Sequence, residues 1–467
     1  MTNIPKSVHL LMSSILIAAL CSPAFGQAEE QDPAQSNPDS GTESQARRSR
    51  IYFIDTPVEL ESGVEQDIDW PLAIPTPPSE EDPQFSARME SIRQYDESVR
   101  EIEAEGGVWD ASLIEQLHTL GELQQQQGDH VSAIATFDRA VHVSRINNGL
   151  HTMEQLPAVE QKIESYLATG NWEQADLYYN YMFYVQQKTY GSSDPRLIPI
   201  LGRLANWNLR AFNIGFGESL GVRLNSAQLL FDAAAQLVDM HFGRSDQRYL
   251  DYQQNIANAA YLVSRHPEIM NDADKAQFRL DQDALQQKLM NTDRVLARGF
   301  QAGEEALLNI VNQNNIEPVD AIAVAKASAN LGDWYLMFER KKAAAARYAH
   351  AWKVLSELDN SEELLAEFFG HVIPLPTFLE EPTSLVFSSR DTRDTSELKV
   401  GFVDLVFDVT ANGVVRKLEV VSEETEETEA ILGRLRREVR RSLFRPVIEG
   451  GEPIRTSGNQ FRYRYWY

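Results

Sequence analysis

The sequence LGELQQQQGDHVSAIATFDRA at residues 120–140 has a counterpart 42 residues later, KIESYLATGNWEQADLYYNYM at residues 162–182. A glycine, an alanine, an aromatic residue and a second glycine keep the same spacing in both copies. They are Gly128, Ala133, Phe137 and Gly149, followed by Gly170, Ala175, Tyr179 and Gly191. Self-similarity at a period of roughly 20–50 residues indicates a repeat protein, in which each copy packs on its neighbours.

Two further copies extend the repeated region towards the C-terminus. The third copy is displaced by ten more residues and contains Ala227, Phe231, Ala234 and Gly243. A later copy contains Leu331, Gly332, Tyr335, Ala344, Tyr348 and Ala351. The shared internal spacing predicts that residues 86–360 are built from copies of one structural element.

The spacing within a copy is typical of two helices joined by a tight turn. Gly121 and Ala133 are small enough for the two helix backbones to approach closely, and Phe137 fills the space beside them. Gly128 falls at the turn, where a positive φ is needed that glycine adopts without steric cost. We therefore assign these residues to packing rather than to ligand binding.

This pattern resembles the tetratricopeptide repeat, in a form longer than the usual repeat of about 34 residues. The resemblance implies a multi-domain protein with an all-α helical-repeat solenoid over residues 86–360. It also implies a concave groove that binds extended peptides or partner helices. Lys162, Ile163 and Met182 depart from the small or apolar consensus in the second copy, and Glu339 replaces the turn glycine in the last.

The pattern changes after residue 360. Three prolines, Pro374, Pro376 and Pro382, predict a linker over residues 361–395. In residues 396–467, the side chains of Val403, Leu405, Phe407 and Val409 alternate with period two, which indicates a half-buried strand. Asn412-Gly413 predicts a type I′ hairpin turn. A return strand over 414–421, a helix over 424–443 and an aromatic last strand complete a strand, strand, helix, strand order.

This order and its markers resemble the C-terminal domain of the TonB energy-transducer family. The shared markers are the Phe407 strand, the Gly413 turn, Val420-Val421-Ser422, Phe444-Arg445-Pro446, Gly451-x-Pro453 and the aromatic last strand. The resemblance implies a small α+β domain that contacts outer-membrane receptors in the periplasm. Strand pairing with a short receptor segment is the implied mode of contact.

The last strand is the predicted partner-binding element. We expect its outer edge to have no neighbouring strand, and unpaired N–H and C=O groups at an open edge recruit another strand. The residues assigned to partner binding are Phe461, Tyr463, Arg464, Tyr465 and Tyr467. In the alternative, the sheet only packs on the repeats or forms a dimer.

The first 26 residues predict a secretory signal. Lys6 supplies the positive charge, residues 10–21 are mostly apolar, and Ala24-Phe25-Gly26 offers a cleavage site. We expect cleavage after Gly26 and a periplasmic location, with inner-membrane anchoring by an uncleaved signal as the alternative. Residues 27–85 are polar and acidic and predict a disordered or extended linker. Within them, 51–54 and 58–60 are candidates for short extended pieces.

Composition argues against several functions. The 467 residues include 43 Lys and Arg and 69 Asp and Glu, which gives a net charge of −26. Nucleic-acid binding needs clustered basic residues and is disfavoured. The single cysteine, Cys21, rules out a disulfide framework and a thiolate zinc site. We predict no metal, no cofactor and no small-molecule substrate.

One motif points towards catalysis. Gly217-Glu218-Ser219-Leu220-Gly221 matches the Gly-x-Ser-x-Gly nucleophile elbow. That motif requires a buried strand before the serine and a helix after it. Here it falls between two predicted helices, so we predict that the protein is not an enzyme.

The sequence leaves two candidate functions. The first is a periplasmic or envelope adaptor whose repeats bind one protein and whose C-terminal domain binds another. The second is a TonB-type energy transducer acting on outer-membrane receptors in transport, which requires a retained membrane anchor. An adaptor is favoured because the apolar segment at residues 10–21 is shorter than the roughly 20 residues of a spanning helix.

Overall fold

The computed structural model describes residues 53–54, 57–60, 82–217, 219–266, 292–316, 319–377, 399–421 and 426–467. The predicted signal at residues 1–26 and most of the predicted linker at 27–85 lie outside the described residues. The chain divides into two compact units. Within the described ranges, the first unit comprises 82–207, and the second comprises 53–60 together with 208–467.

Helices make up most of both units. Their bounds are α1 Phe85–Gly106, α2 Leu113–Gln126, α3 His130–Asn148, α4 Leu156–Ala168, α5 Trp172–Tyr190, α6 Ile198–Asn213, α7 Leu220–His241, α8 Gln247–Arg265, α9 Thr292–Asn314, α10 Ala321–Met337, α11 Lys341–Ser356, α12 Ser361–Phe369 and α13 Glu426–Arg441. The strands are β1 Phe53–Ile54, β2 Val58–Glu59, β3 Ile373–Leu375, β4 Val400–Val409, β5 Val415–Val420, β6 Leu443–Arg445, β7 Ile448–Glu449, β8 Glu452–Pro453 and β9 Thr456–Trp466.

The predicted helical repeat is confirmed in the first unit. α2 and α3 form one helix pair, and α4 and α5 form the second pair 42 residues later. Gly128 and Gly170 take positive φ angles of 80° and 70° in the two turns. The side chains of Asp129 and Asn171 then accept backbone N–H groups and cap α3 and α5. Capping satisfies amides that a helix start leaves unpaired.

A glycine and an aromatic ring set the distance between the helices of a pair. A Cβ built on Gly121 would lie 2.5 Å from the Phe137 ring, and one on Gly332 would lie 2.6 Å from the Tyr348 ring. Both contacts are too close for any side chain larger than hydrogen. In the second unit, α10 and α11 pack as such a pair, and α8 packs against both α7 and α9.

The C-terminal strands form the predicted order of strand, strand, helix, strand, as β4, β5, α13 and β9. The main sheet has the antiparallel order β1-β9-β4-β5, with β2 also paired to β9. Helix α13 covers one face of the sheet through Ile431, Leu435 and Val439, and the core contains Phe407, Phe444 and Phe461. These three phenylalanine rings lie within 5.5 Å of one another, centroid to centroid.

Two local predictions in this region need correction. The segment 361–395, predicted as a linker, contains α12 and β3, and β3 pairs with β6. The hairpin turn is not type I′, because Gly413 has a positive φ of 72° whereas Asn412 does not. The Gly413 N–H instead donates to the Thr410 carbonyl at 2.8 Å, and Thr410 N–H donates to Val414. The loop is therefore one residue longer than a type I′ hairpin.

Candidate functional site

The sequence predicts an open outer edge for strand β9. In the structure, this edge is occupied. β1 pairs with it in the register Phe53↔Trp466 and Ile54↔Tyr465. β2 pairs with it in the register Val58↔Arg462 and Glu59↔Phe461. The expectation that β9 lacks a neighbour on this side is wrong, because strand pairing does not require the partners to be near one another in sequence. A segment some four hundred residues earlier in the chain occupies the edge.

The five residues assigned to partner binding contribute mainly to the core. Phe461, Tyr463 and Tyr465 are 1–3% exposed and belong to the core cluster with β4 and α13. Arg464 points to the opposite face, since side chains alternate along a strand. It is 6% exposed, and its guanidinium carbon lies 4.9 Å from the centre of the Trp466 ring. Tyr467 is half-buried and packs against the core. Their role in partner binding stays a prediction.

Tyr463 carries an unpaired polar atom. Its hydroxyl is buried and has no hydrogen-bond partner within the described part of the chain. Burial raises the pKa of this phenol. A buried hydroxyl without a partner costs on the order of 1–3 kcal/mol.

The opposite edge of the sheet, strand β5, is blocked against strand pairing. Between Val406 and Asp408 the register slips by one residue, which makes a β-bulge in β5. Lys417 lies in that bulge with a positive φ of 50°. Bulges and charged residues on an edge prevent the pairing of further strands.

Asp408 anchors the bulge through charged partners. Arg455 donates to its carboxylate at 2.6 Å, and the Lys417 ammonium lies 3.2 Å from the same oxygen. These contacts, with that of Arg455 the largest, lower the pKa of Asp408 to about 2. The bulge is therefore held by a carboxylate that stays ionised at neutral pH.

A buried ion pair joins the C-terminal strands to the last helix pair. Arg445 of β6 donates to the Asp333 carboxylate of α10 through two nitrogens, at 2.9 and 2.5 Å. The Tyr348 hydroxyl of α11 donates to the same carboxylate at 2.9 Å. Asp333 is fully buried, and Arg445 is 5% exposed. Burial, the largest single cause, would lower the pKa of Arg445, but the charge and hydrogen bonds of Asp333, together with Tyr348, outweigh it and raise this pKa.

The sequence analysis did not predict this ion pair, although the sequence contains a signal for a buried charge. Asp333 lies in the apolar run Leu331-Gly332-Asp333-Trp334-Tyr335, where an unpaired carboxylate would be costly. Gly413 adds a steric constraint at the same junction. A Cβ built there would lie 2.1 Å from the Phe444 carbonyl oxygen and 3.1 Å from Leu336 of α10. Gly413 is thus required for close packing as well as for the turn.

The first unit presents an open pocket of about 650 Å³ beside α3. Its lining includes Val108 and Trp109, which are about half exposed, and Arg139, Arg145 and Tyr178. The Trp109 ring lies 5.0 Å from the His142 ring, and the Trp109 carbonyl accepts from Asn147 at 2.9 Å. An exposed tryptophan held in place beside arginines can accept the side chains of a protein partner.

A buried lysine lies behind this pocket. Lys162 is 1% exposed and donates to Asp138 and to the Tyr178 hydroxyl, both of which line the pocket. Burial lowers the pKa of Lys162, but its hydrogen bonds to Asp138 and Tyr178 outweigh burial and raise it. The lysine therefore remains protonated and acts as a fixed charge. The Tyr166 and Tyr178 rings stack at 5.8 Å beside it.

The candidate nucleophile Ser219 does not lie in an elbow. It precedes α7 and follows α6 with no strand between them, and its hydroxyl has no hydrogen-bond partner among the described residues. Across the described ranges, no group of three His, Cys, Asp or Glu residues could hold a metal ion. No described helix is long and apolar enough to cross a membrane.

Comparisons with known proteins gave matches among solved structures only. No protein-family model and no curated protein matches the chain. BtubC (BKLC) from P. vanneervenii is 16% identical over 61% of this chain and 94% of that chain, with a TM-score of 0.33. A putative kinesin light chain from Podosopora anserina, with nearly identical TPR-like repeats, is 14% identical over 55% and 97%, with a TM-score of 0.35.

Proposed function

We propose that this chain is a non-enzymatic adaptor of the periplasm or cell envelope. Its helical repeats bind one protein partner, and its TonB-like C-terminal sheet binds another as an extended strand. The observation that carries the proposal is the pairing of residues 53–54 and 58–59 with β9. An extended segment from a distant part of the chain already lies at this edge, and strand addition at a sheet edge is a general mode of peptide recognition.

Features of the first unit support a second binding surface. The pocket beside α3 places the half-exposed Val108 and Trp109 next to two arginines. Val131 and Leu177 are 75% and 54% exposed on the same unit. Aromatic and arginine side chains are enriched at the energetic centres of protein interfaces. The periplasmic location rests on the signal features at residues 1–26 and on the TonB resemblance.

Site-specific photo-crosslinking in cells tests the adaptor function. The photoreactive residue is placed at Trp109 in the pocket, at the exposed Phe402 of β4, and at Gly433 as an exposed control on α13. We expect adducts with particular envelope proteins from Trp109 or Phe402 and none from Gly433. A folded protein that gives no specific adduct from either position contradicts the proposal.

N-terminal sequencing of the mature protein tests the location and the alternative role. A mature chain beginning at Gln27 supports an exported adaptor without a membrane anchor. A mature chain that retains residues 1–26 in the membrane fraction would instead support a TonB-type transducer acting on outer-membrane receptors.

A further inference from the structure

The pocket beside α3 is built by the second helices of the repeat pairs. Its lining comes from α3, from Tyr178 of α5, and from the end of α1 with the turn that follows it. The first helices, α2 and α4, pack against each other and contribute none of the lining residues within the described range 82–207. The pocket therefore belongs to the surface formed by α1, α3 and α5, and it is separate from any surface that α2 and α4 present.

The cations at this pocket differ in whether they are neutralised. Arg139 forms an ion pair with Glu103 of α1, and the buried Lys162 forms one with Asp138 of α3. Arg145 also lines the pocket, but it has no carboxylate partner among the residues that the structure describes. The pocket therefore contains one positive charge that the described chain does not balance.

Arg145 is held in a fixed position on one side only. Its Nε–H donates to the side-chain oxygen of Gln155 at 2.7 Å, and its guanidinium carbon lies 4.9 Å from the centre of the Tyr181 ring. The Tyr181 hydroxyl donates to the same Gln155 oxygen at 2.7 Å. Gln155 is 1% exposed, and its amide donates to the carbonyls of Leu150 and Thr152. The two terminal nitrogens of Arg145 make no hydrogen bond to a described residue.

A half-buried guanidinium with free terminal nitrogens favours an anionic ligand. The planar fork of arginine bonds a carboxylate through two parallel N–H groups, which fixes the orientation of the carboxylate as well as its position. A partly buried pair is also screened less by salt than an exposed one. Because Gln155 and Tyr181 already hold the guanidinium, little side-chain freedom is lost when a ligand binds.

An apolar surface adjoins this cation. The Trp109 ring lies 5.0 Å from the His142 ring, and His142 is one helical turn before Arg145 on α3. Val108 is half exposed, and Ile146, one turn after His142, is 51% exposed. Side chains two positions apart in an extended segment point the same way and lie about 7 Å apart. An extended peptide can therefore place an apolar side chain on Trp109 and an acidic side chain on Arg145.

We propose that this pocket binds an extended segment of a partner protein through an acidic side chain on Arg145 and a nearby apolar side chain on Trp109. The inference rests on the proposed adaptor function and adds the chemistry that the first unit recognises. A small free anion would contact Arg145 alone and leave Val108 and Trp109 exposed. A peptide with both groups covers the cation and the apolar surface together.

A phage-displayed library of random 12-residue peptides supplies the probe. It is selected in parallel on the full-length parent, on Arg145→Gln, and on Arg203→Gln, which makes the same change in charge at a half-exposed arginine of α6. We expect the parent and the Arg203 control to enrich peptides with Asp or Glu close to an apolar residue, and Arg145→Gln to lose this preference. No enrichment, or the same acidic preference in all three proteins, would overturn the proposal.

Fluorescence anisotropy with one enriched peptide measures the contact itself. A second peptide replaces its acidic residue with the corresponding amide. Arg145→Gln should weaken binding of the acidic peptide about 10–100-fold, Arg145→Lys should recover part of this loss, and Arg203→Gln should stay within about twofold of the parent. The amide peptide should bind the parent and Arg145→Gln equally weakly. If Arg145→Gln weakened both peptides by the same factor, the effect would be one of packing and the proposal would be wrong.

Trp109→Ala covers the case in which Arg145→Gln does not fold. Trp109 lies in the turn between α1 and α2 and is half exposed, and its backbone carbonyl still accepts from Asn147 after the change. This variant should bind the acidic peptide about ten times more weakly than the parent. Binding as tight as that of the parent would contradict the inference.

Crosslinking in cells separates this inference from the adaptor function. The photoreactive residue is placed at Val108, in the parent and in the Arg145→Gln background. Loss of the adducts in the variant supports the inference. Adducts of unchanged yield would overturn it while still supporting an adaptor. Dimers of the purified parent that Arg145→Gln abolishes would assign the pocket to a second copy of the chain and would also overturn the inference.

Discussion

The helix pair α2–α3 in the first unit and the pair α10–α11 in the second are copies of one repeat with different surroundings. Gly121 and Gly332 occupy the same position, and each lies against an aromatic ring of the following helix, Phe137 or Tyr348. The close contact between a glycine and an aromatic ring is therefore the same in both helix pairs.

Two polar differences separate the copies. The residue after the glycine is Glu122 in the first copy, half-exposed and 3.7 Å from the His118 ring. In the last copy it is Asp333, fully buried and bonded to Arg445 of β6. The aromatic ring gains a hydroxyl in Tyr348, which donates to Asp333. Two polar groups, the Asp333 carboxylate and the Tyr348 hydroxyl, therefore allow the last copy to bind β6 while its helix packing stays the same.

The largest expected effect comes from breaking the buried ion pair. Asp333→Ala should lower the free energy of unfolding of the second unit by about 3–5 kcal/mol, because Arg445 is left charged and buried. Glu122→Ala, the matched change in the first unit, should cost less than about 1 kcal/mol. Urea unfolding with peptide-resolved hydrogen exchange measures both. Similar losses for the two variants would contradict the difference drawn between the copies.

Replacing both charged partners sharpens this result. Asp333→Leu combined with Arg445→Leu should cost less than either single change, because no unpaired charge remains. If the stability losses of the two single variants add up in the double variant, the two residues do not act as a pair.

The next largest effect is expected from Tyr348→Phe, which makes the last copy resemble the first. It removes a hydrogen bond to a buried carboxylate and should cost about 1.5–3 kcal/mol. The same change in the Asp333→Leu, Arg445→Leu background should cost much less, since the acceptor is gone. Thermal unfolding of the four proteins gives the coupling directly; an equal cost in both backgrounds would rule out the hydrogen bond as its cause.

Substitutions at the turns of the two copies should change stability in opposite directions. Gly128 and Glu339 occupy the same turn position, with φ angles of 80° and 61°. A side chain in this conformation costs about 1–2 kcal/mol. Gly128→Ala should therefore destabilise the first unit by about 1 kcal/mol, and Glu339→Gly should stabilise the second by a similar amount. Loss of stability in Glu339→Gly would show that the glutamate makes a compensating contact.

The smallest expected effects are at the start of the second helix of each copy. Asp129 caps α3, whereas Arg340 makes no side-chain cap for α11 and lies 4.0 Å from the Phe300 ring centre. Asp129→Ala should cost about 1 kcal/mol through the lost cap. Arg340→Ala should cost about 0.5 kcal/mol through the lost cation–π contact. Chemical denaturation at low and high salt checks both, and a larger cost for Arg340 would reverse the comparison.

Sequence reasoning predicted the local features of both regions. The spacing of Gly121, Gly128 and Phe137 predicted the helix pair, its turn and its close packing. The alternation from Val403 to Val409 predicted β4 and the face that it buries. The prolines from Pro374 onward predict a linker over 361–395, but α12 ends at Phe369, before the first of them. The hairpin type was also predicted wrongly from local sequence. Asn412-Gly413 permits a type I′ turn, but Gly413 packs against Phe444 in a loop that is one residue longer.

Most helices, strands and turns could be predicted from the sequence, because helix periodicity, strand alternation and glycine turns depend on residues within a few positions of one another. Contacts between residues far apart in the sequence became visible only in the folded chain. Asp333 and Arg445 are 112 positions apart, and residues 53–54 and 58–59 pair with β9 across most of the chain. Such contacts depend on the burial of charge and on the pairing of edges, whose energies are defined only once the chain has folded.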